Sequence, residues 1–339
     1  MQFHEIVLAA YPQGLPSPSD FALRKGRYAP LADGEVLVES LYWACDPGLR
    51  HRLSVADNYT APVAIGARIT GFTVGRVLES RSAAWAPGDR VLGQWGWCDK
   101  AVLPGAQLQP APEHVGHPTH ALLSYLGVPG ATAYFGMHEV GRVQAGDRVL
   151  VTSAAGAVGA IACQLAKQRG AHVVGVAGGE EKTAWLRRLG VDAVIDHRAC
   201  ATRADLQAAI AAQFPQGMDL LFDTLGNAWV DLALPLMAPR GRLVLCGNTM
   251  DANLPMQERH PIRNLRALIT QQLRIEGLLV LNYRQRFPEA WEHLKAMHAS
   301  GQLHVEHAIS SGLQALPQAF CSLFCGNPLG RKIVASLNE

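Results

Sequence analysis

Residues 146–182 read GDRVLVTSAAGAVGAIACQLAKQRGAHVVGVAGGEEK, a strand, turn, helix and strand in succession. A β-branched, apolar run at 148–152 follows a Gly-Asp turn, which predicts a buried strand. Small residues then fill the turn: Ser153-Ala154-Ala155-Gly156-Ala157-Val158-Gly159. Apolar residues at helical spacing occupy 158–169, and Gly170 ends that helix. A second strand is predicted at 172–177. A dinucleotide's pyrophosphate sits on free N–H groups at a helix N-terminus, where the helix dipole also favours negative charge. The backbone must come close, so the side chains there must be small. Ala154, Gly156 and Gly159 stand at the three glycine places of G-x-G-x-x-G, with Ala154 for the first glycine. The strand before and the helix after turn a weak motif into a specific one. Ala154, Ala155, Gly156, Ala157, Val158 and Gly159 are therefore the candidate pyrophosphate cradle.

An NAD site carries Asp or Glu at the end of the second strand, about 20 residues past the glycines, to bind the ribose 2′-hydroxyl. This chain has Ala177-Gly178-Gly179 there, followed by Glu180-Glu181-Lys182. The strand end is neutral and open, with a lysine one short turn on. Gly178 and Lys182 are thus candidates for a 2′-phosphate, and NADPH is the expected cofactor.

Composition narrows the class. The chain has 339 residues, above the size at which single cores usually divide, so two domains are expected. Hydrophobic residues make up 49% and charged residues 17%, which excludes a disordered chain. Net charge is +2, with no basic run or aromatic-basic interleaving, so nucleic acid is not an expected partner. No stretch approaches the roughly 20 apolar residues of a membrane span, and residues 1–14 lack the pattern of a signal peptide. Seven scattered cysteines are read as reduced thiols of a cytoplasmic protein.

Short β-rich runs at 35–41, 71–79, 90–93 and 100–103 alternate with Gly and Pro turns, the pattern of a small barrel or sandwich. From 125 onward strands and helices alternate. Strands at 148–152, 172–177, 193–196, 220–223, 242–246 and 273–280 predict a doubly wound parallel sheet in the order 3-2-1-4-5-6. Ligands bind beyond the carboxyl ends of such strands, which adds Gly226, Gly247 and Asn248 to the candidate site. The tail ends in a basic turn into a strand at 330–335, expected to return to the first domain. The expected division is 1–124 plus 304–339 as a β-rich domain and 125–303 as a dinucleotide-binding domain.

A β domain before a dinucleotide-binding domain resembles the medium-chain dehydrogenase/reductase superfamily. The finer resemblance is to its zinc-independent branch of prostaglandin reductases, leukotriene dehydrogenases and NADPH-dependent double-bond reductases. It is carried by Gly34-Glu35-Val36-Leu37-Val38, by Asp46-Pro47 with Arg50 and Arg52, and by Leu126-Gly127-Val128-Pro129-Gly130-Ala131-Thr132-Ala133-Tyr134. It continues through Ala154 to Gly159, Phe222-Asp223, Arg240-Gly241-Arg242, Cys246-Gly247 and 274–280. The resemblance implies a Rossmann fold with an N-terminal GroES-like β-rich domain, and a homodimer. It implies hydride transfer from NADPH to the β-carbon of an α,β-unsaturated ketone or aldehyde. It places Lys182 and His197 at the 2′-phosphate, His197 standing where the family usually has tyrosine. It also places Thr224, Cys246, Gly247, Asn248, Leu279 and Val280 along the cofactor.

Zinc-dependent relatives need Cys, His and Glu ligands around an open metal position. Cys45 stands near the first ligand's place, but Gly71-Phe72-Thr73 replaces Gly-His-Glu, so no metal is expected. The family's substrate tyrosines fall at Gly48 and Ala252. The asparagine before the last strand is displaced by Asn327-Pro328-Leu329, and Thr224 replaces another asparagine. Tyr283, Tyr59 and Tyr42 are the remaining candidate proton donors. Two alternatives stand beside the enone reductase: a quinone oxidoreductase, and an NADPH-binding protein with little catalysis.

Overall fold

Six parallel strands form the central sheet: Arg148–Val151, His172–Ala177, Ala193–Asp196, Met218–Asp223, Met237–Leu245 and Arg274–Gly277. In space the third strand is outermost, followed by the second, first, fourth, fifth and sixth. This is the doubly wound order, with its switch point between the first and fourth strands. The computed structural model describes residues 2–55, 60–111, 116–326 and 329–337. The chain divides into two compact units, Tyr125–Glu306 and Met1–Ser124 with His307–Glu339.

The sheet forms because its inner strands are largely buried on both faces and are rich in Val and Leu, as crossover helices require. Val149, Leu150, Val151, Val173, Val174, Leu220, Leu221 and Phe222 are all fully buried. At roughly 1.5–3 kcal/mol for each large apolar side chain, they are the main stabilising term of this unit. The helix Gly159–Gln168 is buried from Gly159 through Ala166, so it is apolar all round. Its one buried polar side chain, Gln164, is satisfied at both ends. Its amide donates to Ala160 O and His304 O at 2.9 Å, and its carbonyl accepts from His304 N at 2.7 Å.

The sixth strand is shorter than the expected 273–280. Its parallel partner ends at Leu245, and Leu278 N then donates to Leu245 O at 2.8 Å. Among the described residues no strand pairs with it beyond that point, and Val280–Arg286 coils into 3₁₀ turns. Leu279 and Val280 therefore lie past the strand.

The other unit holds an antiparallel pair, Gln2–Leu8 with Phe21–Arg27, that the sequence pattern did not signal. Phe21–Arg27 is largely exposed and polar, so it shows no apolar alternation. A seven-stranded sheet is built on Glu35–Ala44, which pairs with Thr73–Ser80, Lys100–Pro104 and the C-terminal Arg331–Ala335. Its core packs Trp43, Trp97, Phe21 and Phe320. The Trp43 indole donates to Cys98 O at 3.1 Å, and that of Trp95 to Ser40 Oγ at 2.8 Å.

Candidate functional site

The turn after the first strand is set by its backbone. Ser153 has φ +47°, and Ala154 N donates to Val176 O at 2.9 Å, tying the turn to the second strand. The Ala154 methyl fills the space over Gly175, where a Cβ on the glycine would lie 3.0 Å from it. A Cβ on Gly159 would lie 2.4 Å from Ser153 O and 2.9 Å from Ala154 Cα, so this glycine lets helix and strand approach. Gly156 differs: its Cβ would lie 3.1 Å from the carbonyl and hydroxyl oxygens of Ser153, a tight fit short of a backbone clash. Val158 caps the helix without a side-chain hydrogen bond, which leaves the helix end to an anion. Ala154, Ala155, Gly156, Ala157, Val158 and Gly159 are thus gathered into one narrow turn at a helix N-terminus. They fit a pyrophosphate.

At the switch point a buried network joins the first and fourth strands. Thr152 Oγ1 donates to Asp223 Oδ1 at 2.6 Å and accepts from Thr224 N at 3.1 Å. Asp223 Oδ2 accepts from Gly226 N at 2.8 Å. Burial pushes the Asp223 carboxyl up to about 6, against the pull of the Thr152 and backbone hydrogen bonds. Cys246 N donates to Asp223 O at 2.8 Å, and Thr249 Oγ1 donates to Thr224 O at 2.9 Å. Asp251, itself buried, accepts from Asn227 N at 3.0 Å. Thr224, Cys246, Gly247 and Asn248 therefore lie along strand ends held together by Thr152, Asp223, Thr249 and Asp251. Sequence reasoning gave none of those four a role, although Asp223 was in view as part of Phe-Asp. Leu279 is exposed and Val280 buried.

The second cluster lies at the ends of the second and third strands. Asp196 pairs with Ala177 across the sheet, and His197 N donates to Ala177 O at 3.0 Å. Burial lowers the pKa of Lys182, and Arg198 adds to the effect while Glu181 opposes it. Burial likewise lowers His197, helped by Arg198 and Lys182 and opposed by Asp196. A Cβ on Gly178 would lie 2.6 Å from His197 Nε2, so Gly178 makes room for the imidazole. Lys182 and His197 are brought together, and Arg198 joins them. The Arg198 signal was a second cation directly after a strand end.

Two of the candidate tyrosines pack against aromatic rings. The Tyr283 ring stacks on buried Phe135 at 4.6 Å. Tyr42, in the other unit, meets His120 edge-on at 5.4 Å. Tyr59 lies outside the described residues. Among the described residues no group of three His, Cys, Asp or Glu side chains is placed to hold a metal.

Two family models match the chain: the N-terminal domain of oxidoreductase over residues 4–111, and zinc-binding dehydrogenase over 157–296. The chain is 33% identical over 340 residues to the NADP(+)-dependent 2-alkenal reductase of Nicotiana tabacum, covering 99% of this chain and 98% of that protein. It is 33% identical over 334 residues to the NADPH-dependent curcumin reductase of Escherichia coli K12, covering 97% and 95%. The solved structure of CurA in complex with NADPH from Vibrio vulnificus superposes with a TM-score of 0.92 at 33% identity, covering 98% of this chain and 99% of that one.

Proposed function

Because the chain belongs to the medium-chain dehydrogenase/reductase superfamily, in its branch of prostaglandin reductases and NADPH-dependent double-bond reductases, we propose that it reduces the C=C bond of α,β-unsaturated ketones and aldehydes with NADPH and without zinc. The observation that carries this reading is the narrow turn at Ser153–Gly159 together with the basic cluster at the second strand's end. NADPH, when bound, supplies a hydride to the substrate's β-carbon.

The chain's own residues bind the cofactor, position it and serve the proton transfer. The backbone of 154–159 holds the pyrophosphate, Lys182 and His197 hold the 2′-phosphate, and Gly178 leaves room for the imidazole. Thr224, Cys246, Gly247, Asn248, Leu279 and Val280 position the nicotinamide end. A hydrogen-bond donor stabilises the enolate oxygen, and a proton is delivered to the α-carbon. Tyr283, Tyr42 and Tyr59 are the proposed donors.

The test is NADPH oxidation with a linear enone, an enal, a cinnamyl-type ketone and a quinone, each repeated with NADH. Turnover of the enone and enal with NADPH preference is expected. Turnover of the quinone alone would make the protein a quinone oxidoreductase, and NADPH binding without any turnover would make it a non-catalytic binder. In the same assay, Phe at the donor's position is expected to lower kcat by about 10²–10⁴-fold with NADPH affinity intact. Phe at a tyrosine that only packs leaves kcat unchanged.

Lys182→Ala is expected to weaken NADPH binding by about 10- to 100-fold, the worth of one charge-assisted hydrogen bond, and to leave NADH within twofold. Fluorescence titration with both nucleotides checks this, and equal losses would refute the 2′-phosphate role.

The proposed assembly is a homodimer in the cytoplasm. Among the described residues no helix is long and apolar enough to cross a membrane. Among the described residues Arg274–Gly277 is the last strand of the sheet, and Ile269 and Leu279, close to it in the chain, expose apolar side chains. A monomer mass by light scattering would overturn the dimer.

A further inference from the structure

We propose that Arg198 is a further determinant of the preference for NADPH, gripping the 2′-phosphate with its guanidinium. The proposal rests on the NADPH-dependent reading above and names a residue beyond Lys182 and His197.

The placement is built by the sheet. The third strand lies parallel to the second with Asp196 opposite Ala177, so the two residues after it meet the two residues after Ala177. Asp196 Oδ1 accepts from Gly179 N at 3.1 Å and from Arg198 N at 2.9 Å, which fixes both turns together. The acid that an NAD site would aim at the ribose is thus displaced by one strand and turned onto backbone N–H groups. In its usual place lies the Arg198 side chain. A Cβ on Gly178 would sit 2.9 Å from Arg198 Nε and 3.2 Å from its Cδ, and one on Gly179 would sit 3.4 Å from Nη1. The guanidinium therefore covers the Gly178-Gly179 turn, where the ribose of a dinucleotide ends.

Chemistry favours arginine as a phosphate ligand. Its planar fork matches two phosphate oxygens, and its charge is constant over the working pH range. His197 and Lys182 beside it are both less readily protonated than usual, largely through burial. Three basic side chains facing one turn repel each other, and an arriving dianion removes that repulsion. Gly178 is then explained: any larger side chain there would displace the imidazole and the guanidinium.

The test uses the full chain and two fragments, 2′,5′-ADP and 5′-AMP, measured by calorimetry beside NADPH and NADH. Wild type is expected to bind 2′,5′-ADP at least about 30-fold more tightly than 5′-AMP. Arg198→Ala is expected to lose about 10- to 100-fold for 2′,5′-ADP and NADPH, with 5′-AMP and NADH within twofold. Arg198→Lys should recover part of the loss, keeping the charge without the fork. Arg198 is exposed, so unchanged thermal unfolding is expected for both variants. If Arg198→Ala keeps the wild-type preference, or loses all four ligands equally, the role of Arg198 is overturned while NADPH dependence stands. If wild type itself fails to distinguish 2′,5′-ADP from 5′-AMP, the NADPH reading falls and the proposal with it.

Discussion

Gly159→Val is expected to destabilise the protein by about 3 kcal/mol and to abolish NADPH binding. The new Cβ would lie 2.4 Å from Ser153 O and 3.0 Å from Ser153 C, and neither atom can move freely. Ser153 is already in the left-handed region at φ +47°, and the Ala154 N to Val176 O bond anchors the next residue to the sheet. The clash must push the helix Gly159–Gln168 away from the sheet, opening a core that is buried along nearly the whole helix. Gly156→Val is expected to behave differently. Its Cβ meets only the Ser153 oxygens, at 3.1 Å, and the hydroxyl among them can rotate away. That variant should fold with little loss and still fail to bind NADPH, because its side chain fills the space a pyrophosphate needs. Urea unfolding and nucleotide fluorescence titration separate the two cases. Retained binding in the Gly156 variant would show that the pyrophosphate lies elsewhere.

The second large effect is a dependence on pH. Asp223 titrates near 6 in the folded chain, against an ordinary 3.8, a gap worth about 3 kcal/mol. Between about pH 4 and 6 the folded state holds this proton more often than the unfolded chain does. Its contribution to stability is therefore fully present below pH 4 and is lost as pH rises through 6. Asp192, Asp196, Asp219 and Asp231 have lowered pKa values and act in the opposite sense, losing stability as pH falls. Total stability mixes both kinds, but comparison with Asp223→Asn isolates the first. The asparagine variant pays a fixed cost, since its amide cannot accept from both Thr152 Oγ1 and Gly226 N. Relative to wild type it should gain about 3 kcal/mol from pH 4 to pH 7. Chemical denaturation at four pH values measures this, and a flat difference would show that the carboxyl is ionised throughout.

The sequence revealed what is local. Small residues at 154–159 mark the turn because the need for them is felt within one turn of chain. The strand Ala193–Asp196 was legible to the residue because its apolar run is short and sharply bounded. The Thr152–Asp223 link was hidden because its partners are 71 residues apart and meet only through the strand order. Arg198 was hidden for the same reason: the sheet alone brings it to Gly178. The strands Phe21–Arg27 and His307–Ser311 were missed because their side chains are mostly exposed or half-buried, and no alternation marks them. Glycine spacing alone could not tell Gly156 from Gly159, since the motif treats both alike and only the surrounding backbone separates them.

The thiols carry a consequence for the protein's chemical survival. Burial pushes Cys45, Cys98 and Cys163 up to about 12 and Cys321 to about 11, and it holds Cys246 well above the ordinary thiol range. A thiol with a pKa of 12 is ionised at neutral pH in only about one molecule in 10⁵, and the thiolate is the nucleophile. Unsaturated aldehydes and ketones are alkylating agents that thiolates attack at the same β-carbon that accepts the hydride. An enzyme that gathers such compounds risks being consumed by them. Keeping these five sulfurs protonated lets it handle electrophiles without forming adducts on them. Of the two remaining cysteines, Cys200 is half-buried and Cys325 exposed, so Cys325 is the residue that an excess of substrate would mark first.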